Sequence, residues 1–259
     1  MDAINIDSLK LYFMRPLKIN EFLTVYQPTI GQLIDFGADR YYQVLNALTV
    51  TPEKMISILW DMGIDWEEIT DFELFIMMTR DLTAEDTSIF LKDVDLSKMV
   101  VCENNLNGKM VLVSVDENGQ ILEDGLIIDE LIHAQIAEFL RKMHNIKVQK
   151  KHAANKRTKK LMIQMDRSER AVSERESHDQ NWSDSFLNMV SFALNCPGFK
   201  YKREELEKCG IVEFYDSIQR LNIIFQTDAL LKGVCGGMVS SKDIPKENLN
   251  YMRSITQDT

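Results

Sequence analysis

The chain has 259 residues, 45% of them hydrophobic, enough to bury a core in one large domain or two ordinary ones. Its formal net charge is −10, and the acids crowd into residues 1–146, which hold 11 Lys/Arg against 25 Asp/Glu. That balance argues against a broad nucleic-acid footprint there, because phosphate contacts need Lys and Arg.

No apolar run approaches the ~20 residues of a membrane-spanning helix, and the acidic opening Met1-Asp2-Ala3-Ile4-Asn5-Ile6-Asp7 predicts no signal peptide. Cys102, Cys196, Cys209 and Cys235 are scattered, with no Cys-x-x-Cys pair and no His at zinc spacing, so reduced thiols and no metal site are expected. Fourteen methionines are many. They suit a soft core, and they also suit an adaptable binding surface.

Leu17 and Ile19 alternate with Lys18 and Asn20, which allows a short strand. Thr29 with Gln32 forms a capping box ahead of Ile30, Leu33 and Ile34, and Gly37 suits the end of that helix. Tyr41, Tyr42, Leu45 and Leu48 line a second helix. Thr51-Pro52 predicts a third, with Thr51 as N-cap, Met55, Ile56, Leu59 and Met62 on one face, and Gly63 as its stop. Asp65 with Glu68, Thr70 with Glu73, and Thr83 with Asp86 repeat the start signal.

From Lys98 the character changes. Met99–Glu103 and Met110–Val115 are rich in β-branched residues and are separated by Asn107-Gly108; Asn118-Gly119 precedes Gln120-Ile121-Leu122-Glu123. Asn-Gly between apolar runs predicts hairpins, hence an antiparallel meander of two or three strands. Leu126 to Ile146 then carries a broad helical face, with Arg141, Lys142 and His144 placed as cations at its C-terminal end.

Lys147 to Lys160 holds seven basic residues and no acid, and residues 147–180 carry a net +5. Without Gly or Pro, and with Leu161, Met162 and Met165 as a thin apolar stripe, 147–180 predicts a charged helix or a frayed linker. Beyond it, Trp182 to Ala193, Arg203 to Cys209, Ile211 to Leu231 and Asp243 to Met252 read as helices. The expected class is α+β and predominantly helical, in three units. These are an acidic helical domain with a β meander at 1–146, a charged helical connector at 147–180, and a small all-α domain at 181–259.

No catalytic constellation emerges. His133 sits within a strong helix and reads as structural or surface; the acid pairs mostly mark helix starts. Gly233-Val234-Cys235-Gly236-Gly237 follows a helix and lacks a Lys-Ser/Thr, so it is no phosphate loop, and no cofactor is expected. The basic stretch stays open between a solvated linker, a protein-docking segment and a nucleic-acid contact. The absence of aromatics from 147 to 181 weakens strand stacking and membrane insertion, which argues against nucleic acid as a partner, and no membrane partner is expected. The candidate protein-binding residues are Lys150, Lys151, Lys156, Arg157, Lys159, Lys160, Leu161 and Met162.

Leu17-Lys18-Ile19 followed by Gln27-Pro28-Thr29-Ile30-Gly31-Gln32-Leu33-Ile34 resembles the start of morphogenesis proteins encoded among the tail genes of tailed double-stranded DNA phages of Gram-positive hosts. The ending is similar to theirs: a long helix, Gly233 to Met238, then Asp243-Ile244-Pro245 to Met252. The layout is similar to that of a tail assembly chaperone. The resemblance covers about a quarter of the chain; the β meander does not match the family's mainly helical pattern. It implies a non-enzymatic protein of the host cytoplasm that binds the tape-measure or tail-tube protein during virion morphogenesis, with self-association open. A virion connector or baseplate subunit is one alternative. A small cytosolic enzyme centred on Cys235 or His133 is another.

Overall fold

The computed structural model describes residues 6–104, 108–116, 118–122, 125–177, 182–240 and 242–255. Among them are eleven α-helices and two small antiparallel sheets of two and three strands; helix takes up 56%, so the fold is α+β and predominantly helical.

Helix α1 (Ser8–Tyr12) starts on the Asp7 carboxylate, which accepts from the backbone of Leu9 and Lys10. Strands β1 (Leu17–Lys18) and β2 (Thr24–Val25) then pair as a hairpin. The Thr29–Gln32 capping box is made in both directions at the start of α2 (Ile30–Phe36). Gly37, at φ 91°, turns the chain directly into α3 (Ala38–Thr49), a conformation that glycine adopts without strain. Capping boxes at Thr70 and Thr83 likewise open α5 (Asp71–Thr79) and α6 (Ala84–Leu91).

Two start signals behave differently. Thr51 is buried and makes no capping bond, so Pro52–Lys54 is only a 3-10 turn. Met55 leaves helical geometry, at φ −128°, and α4 (Ile56–Asp61) begins after it. Asp65 accepts from the Glu67 N–H through Oδ1 and from Lys159 through Oδ2, but only a turn follows.

The three-stranded sheet has the order β3 (Met99–Glu103), β4 (Met110–Ser114), β5 (Ile127–Ile128). The third strand is therefore not the one expected at 120–123. There, Ile121 makes only an isolated bridge to Val115, and Ile121 and Leu122 stay exposed. Ile128 is fully enclosed opposite Leu112, so burial of that pair sets the register. Asn107 of the expected first turn and Glu123 of the expected strand lie outside the described residues.

Helix α7 (Glu130–Met143) is N-capped by Asp129. Then come α8 (Lys156–Ser177), α9 (Trp182–Asn195), α10 (Arg203–Leu206) and α11 (Ile211–Cys235), which runs one turn beyond the expected end. The last expected helix is a 3-10 turn, Lys246–Leu249.

The boundary at 147–180 separates charge but not cores. One hydrophobic cluster joins Leu11, Leu33, Tyr41 and Phe139 to Phe186, Leu206 and Phe214. The backbone of 28–31 bonds directly to 207–211: Ile30 N–H to Cys209 O and Gly31 N–H to Glu207 O, both at 2.9 Å, and Ile211 N–H to Pro28 O at 3.2 Å. Gly210 permits this approach, since a Cβ there would stand 2.6 Å from both Gln27 Oε1 and Met14 Cγ. The segment expected as an independent C-terminal domain therefore completes the N-terminal core.

Aromatic side chains of α3 tie these parts together. Tyr41 Oη lies 2.7 Å from His144 Nε2, Tyr42 Oη bonds Tyr215 Oη, and Tyr42 stacks on Trp182 at 4.5 Å. His144 is thus not the helix-end cation expected from sequence; burial pushes its pKa down to about 3, so the ring is neutral. His133 lies against Phe75 at 4.4 Å, and burial followed by the nearby Arg141 charge lowers its pKa to about 3. The unfolded chain takes up both protons near pH 6.5 and the folded chain only near pH 3. Stability is therefore full above pH 6.5 and falls as the pH drops through that window, by up to ~1.4 kcal/mol per unit for each ring. Urea unfolding should show a loss of roughly 2–4 kcal/mol between pH 7 and pH 5; equal stability at the two pH values would contradict the neutral, buried state of these rings.

Candidate functional site

The basic segment folds back onto the acidic part of the chain. Helix α8 lies antiparallel to α4, as its contacts show in order: Arg170 donates to Lys54 O, Asp166 accepts from Ser57, Arg167 pairs with Asp61, and Lys159 pairs with Asp65. At the centre, Ile163 is buried among Ile56, Leu59, Trp66 and Leu74.

The polar contacts around it are specific. Asp166 Oδ2 accepts from Ser57 N at 3.0 Å, from Ser57 Oγ at 2.5 Å and from Arg170 Nε at 2.9 Å. Lys159 Nζ sits between Asp65 and Glu67, 2.8 Å from Glu67 Oε2, and 4.8 Å above the Trp66 ring. Upstream, Lys150 Nζ bridges Glu53 at 3.2 Å and Asp71 at 3.0 Å, and Glu67 Oε1 accepts from Ala153 N at 2.8 Å. Burial opposes ionisation of Asp65 and Asp166. The Lys159 contact in one case, and the Ser57 and Arg170 contacts in the other, outweigh it and hold both below the usual carboxylate range. Glu67 is lowered first by its bond from Lys159.

Magnitudes rank these contacts. Partly exposed ion pairs contribute ~0–1 kcal/mol each, whereas burying one isoleucine contributes ~1.5–3 kcal/mol. Ile163 holds the helix down, and the charges fix its register and direction.

The eight candidate residues divide accordingly. Lys150 and Lys159 are spent inside the molecule, and Met162 packs on the Ile163 cluster. Lys151, Lys156, Arg157 and Lys160 are exposed and make no ion pair among the described residues, and Leu161 is 54% exposed. The residues that dock the helix but were not singled out in the sequence are Ile163, Asp166, Arg167 and Arg170. Lys159, Ile163, Asp166 and Arg170 recur at helical spacing, and that mixed charged and apolar stripe was the available signal.

Beside this junction lies a cleft of about 790 Å³, bounded by Met55 and Ile58 of the α4 region, Arg170 of α8, Tyr42 of α3, and Trp182 of α9. Met55, Met78, Met143 and Met189 all line it. The α8 junction and the cleft therefore share one edge.

Cysteine chemistry is muted. Cys209 is buried near Glu213, at 3.7 Å, and burial followed by that carboxylate pushes its thiol up to about 12, so it stays protonated. Cys235 is exposed at the end of α11. Among the described residues, no group of three or more His, Cys, Asp or Glu is placed to hold a metal ion, and no helix is long and apolar enough to cross a membrane. Comparison with family models, with curated proteins and with solved structures finds no match to this chain.

Amide exchange across 157–172 reads the docking directly. Lys159→Glu and Ile163→Ala should each lower protection there at least several-fold, while Lys160→Glu, on the exposed side, should leave it unchanged. Equal loss in Lys159→Glu and Lys160→Glu would mean that α8 is held by diffuse charge and not by these contacts.

Proposed function

We propose that this protein binds a client protein without catalysis, as a tail assembly chaperone of a tailed phage, acting in the host cytoplasm. The observation that carries the reading is the methionine-lined cleft whose edge is closed by a charged helix. Methionine side chains are flexible and polarizable, and they repack around different apolar partners. A chaperone that keeps long amphipathic helices in solution needs such a surface, and a tape-measure protein is a client of that kind.

Helix α8 supplies the gate. Its ion pairs to Asp61, Asp65 and Glu67 are of the sort that a client with a basic helical face can replace. Ile58, Trp60 and Met62 on and beside α4, and Leu161, Met165 and Val172 on α8, are exposed and extend the apolar surface offered to such a helix. The exposed Lys151, Lys156, Arg157 and Lys160 would then meet acidic groups of the client. The resemblance of the two chain ends to tail morphogenesis proteins supplies the biological setting.

Co-expression with the tape-measure protein of the same phage provides the test. The wild type should keep the client in solution and co-purify with it. Ile58→Glu and Met189→Glu, both in the cleft, should lose most of that capture while remaining folded, and Leu187→Glu, exposed but outside the cleft, should retain it. Unchanged capture by the cleft variants would refute the reading. Recovery of the protein from purified virions would replace it by a structural virion subunit.

A further inference from the structure

Strand β3 lies at an edge of the three-stranded sheet, and its backbone is only half used. Val115 N–H donates to Lys98 O and Asn104 N–H to Lys109 O, and bonded pairs alternate along an antiparallel ladder. The register therefore turns the backbone of Lys98, Val100, Cys102 and Asn104 towards β4, and that of Met99, Val101 and Glu103 away from it. The Met99 N–H turns back to Leu96 O. Met99 O and both backbone groups of Val101 and Glu103 bond to no other element among the described residues.

Edge strands are usually blunted by a proline, a bulge or a charge within the strand. Met99 to Cys102 carries none of these, and Val100 and Val101 are 38% and 49% exposed. The edge is thus open to a further strand, and such a strand would bond to the backbone of β3 whatever its side chains.

The side chains that an added strand would meet are set by the same alternation. Val101 and Glu103 share a face with Met110, which stands opposite Glu103. Against that face lies a pocket of about 550 Å³, bounded by Val101, Met110, Ile64, Ile69, Ile76 and Met77. Its charged residues are all acidic: Asp65, Glu68 and Glu73. Asp65 is taken by Lys159, and Glu73 by the capping box at Thr70. Glu68 and, on the strand itself, Glu103 are exposed and make no ion pair among the described residues.

We propose that the free edge of β3 binds an extended segment of another protein, with an apolar residue opposite Val101 and a lysine or arginine opposite Glu103. The backbone bonds would hold the segment, the pocket would take the apolar side chain, and the cation would pair across the strands with Glu103. A second copy of this chain fits less well. Antiparallel pairing of β3 with itself joins outward residues to outward residues, so Met99, Val101 and Glu103 meet only one another and no cation faces Glu103. It also joins two chains of net −10. None of the residues that line the methionine-rich cleft borders this pocket, so the two proposals stand or fall independently.

Titration of the full chain with the peptide acetyl-Thr-Arg-Thr-Ile-Thr-Val-Thr-amide tests the assignment, by calorimetry and by amide exchange. Laid antiparallel on β3, it sets Arg opposite Glu103 and Ile opposite Val101. The expected result is saturable binding that slows exchange at the Val101 and Glu103 N–H groups and leaves Val100 and Cys102, already bonded to β4, little changed. N-methylation of the Ile amide keeps every side chain and removes one backbone donor, and it should weaken binding about tenfold or more; Glu in place of Arg should do the same. So should Val101→Pro, which removes an N–H that the β3–β4 ladder does not use, and Glu103→Lys, with melting temperatures checked to show that both are folded. No saturable binding, or undiminished affinity of the N-methylated peptide or of a folded Glu103→Lys variant, overturns the proposal. A wild type that dimerises alone in sedimentation and becomes monomeric as Val101→Pro assigns the edge to a second copy and overturns it as well.

Discussion

Helix α3 has almost no free side, and that constraint arranges the rest of the molecule. Helices α5, α7 and α9 all pack on it, and Tyr41, Leu45 and Leu48 are enclosed. A tyrosine hydroxyl inside such a core needs a partner. Tyr41 finds His144 at the end of α7, and Tyr42 finds Tyr215 on α11. Those bonds require the end of α7 and the start of α11 to meet beside α3. The backbone contacts between 28–31 and 207–211 then follow as the closure of the same core. Residues 28–31 and 207–211 are thereby drawn together, and the long basic segment between α7 and α9 must travel over the outside.

What that segment does on the outside follows from its charge. Residues 1–146 carry a net −14 and 147–180 a net +5, so the returning chain is attracted to the surface that it crosses. Salt screens such attraction over ~8–10 Å, and attraction of this kind selects no orientation. Orientation comes from Ile163 entering a small apolar cluster, with Lys159 and Asp166 making directed bonds on either side. The interface is therefore firm in register and modest in energy, which is the combination that a displaceable helix needs.

Much of this was legible in the sequence, for local reasons. Capping boxes at Thr29, Thr70 and Thr83 act within four residues, and the structure makes all three. The helical class follows from periodicity, the β3–β4 hairpin from two β-branched runs separated by Asn-Gly, and the helix at 156–177, one of the two readings left open for the connector, from a composition without Gly or Pro. What was not legible depended on distant partners. Thr51-Pro52 carries a strong start signal, yet Thr51 is buried and Met55 breaks the helix. The third strand moved to Ile127–Ile128 because Ile128 is the residue that the core encloses. His144 reads as a surface cation until tyrosines surround it. The division into 1–146 and 181–259 followed charge, whereas the core follows apolar contacts that charge does not report. Within 147–180 the lysines stood out, but Ile163 decides the docking, and one isoleucine in a charged helix is a quiet signal.

The central claim is that α8 occupies the α4 face and leaves it when a client arrives. Spin labels on cysteines placed at Met62 and Met165, both exposed, report the separation of the two helices directly, once the exposed Cys235 and the partly exposed Cys102 and Cys196 are replaced. Without client, pulsed dipolar measurement should give a single short, narrow distance. Addition of a basic amphipathic helix from the proposed client should convert it to a longer, broader distribution. A distance that stays short and narrow at saturating client, with the complex formed, would contradict the account.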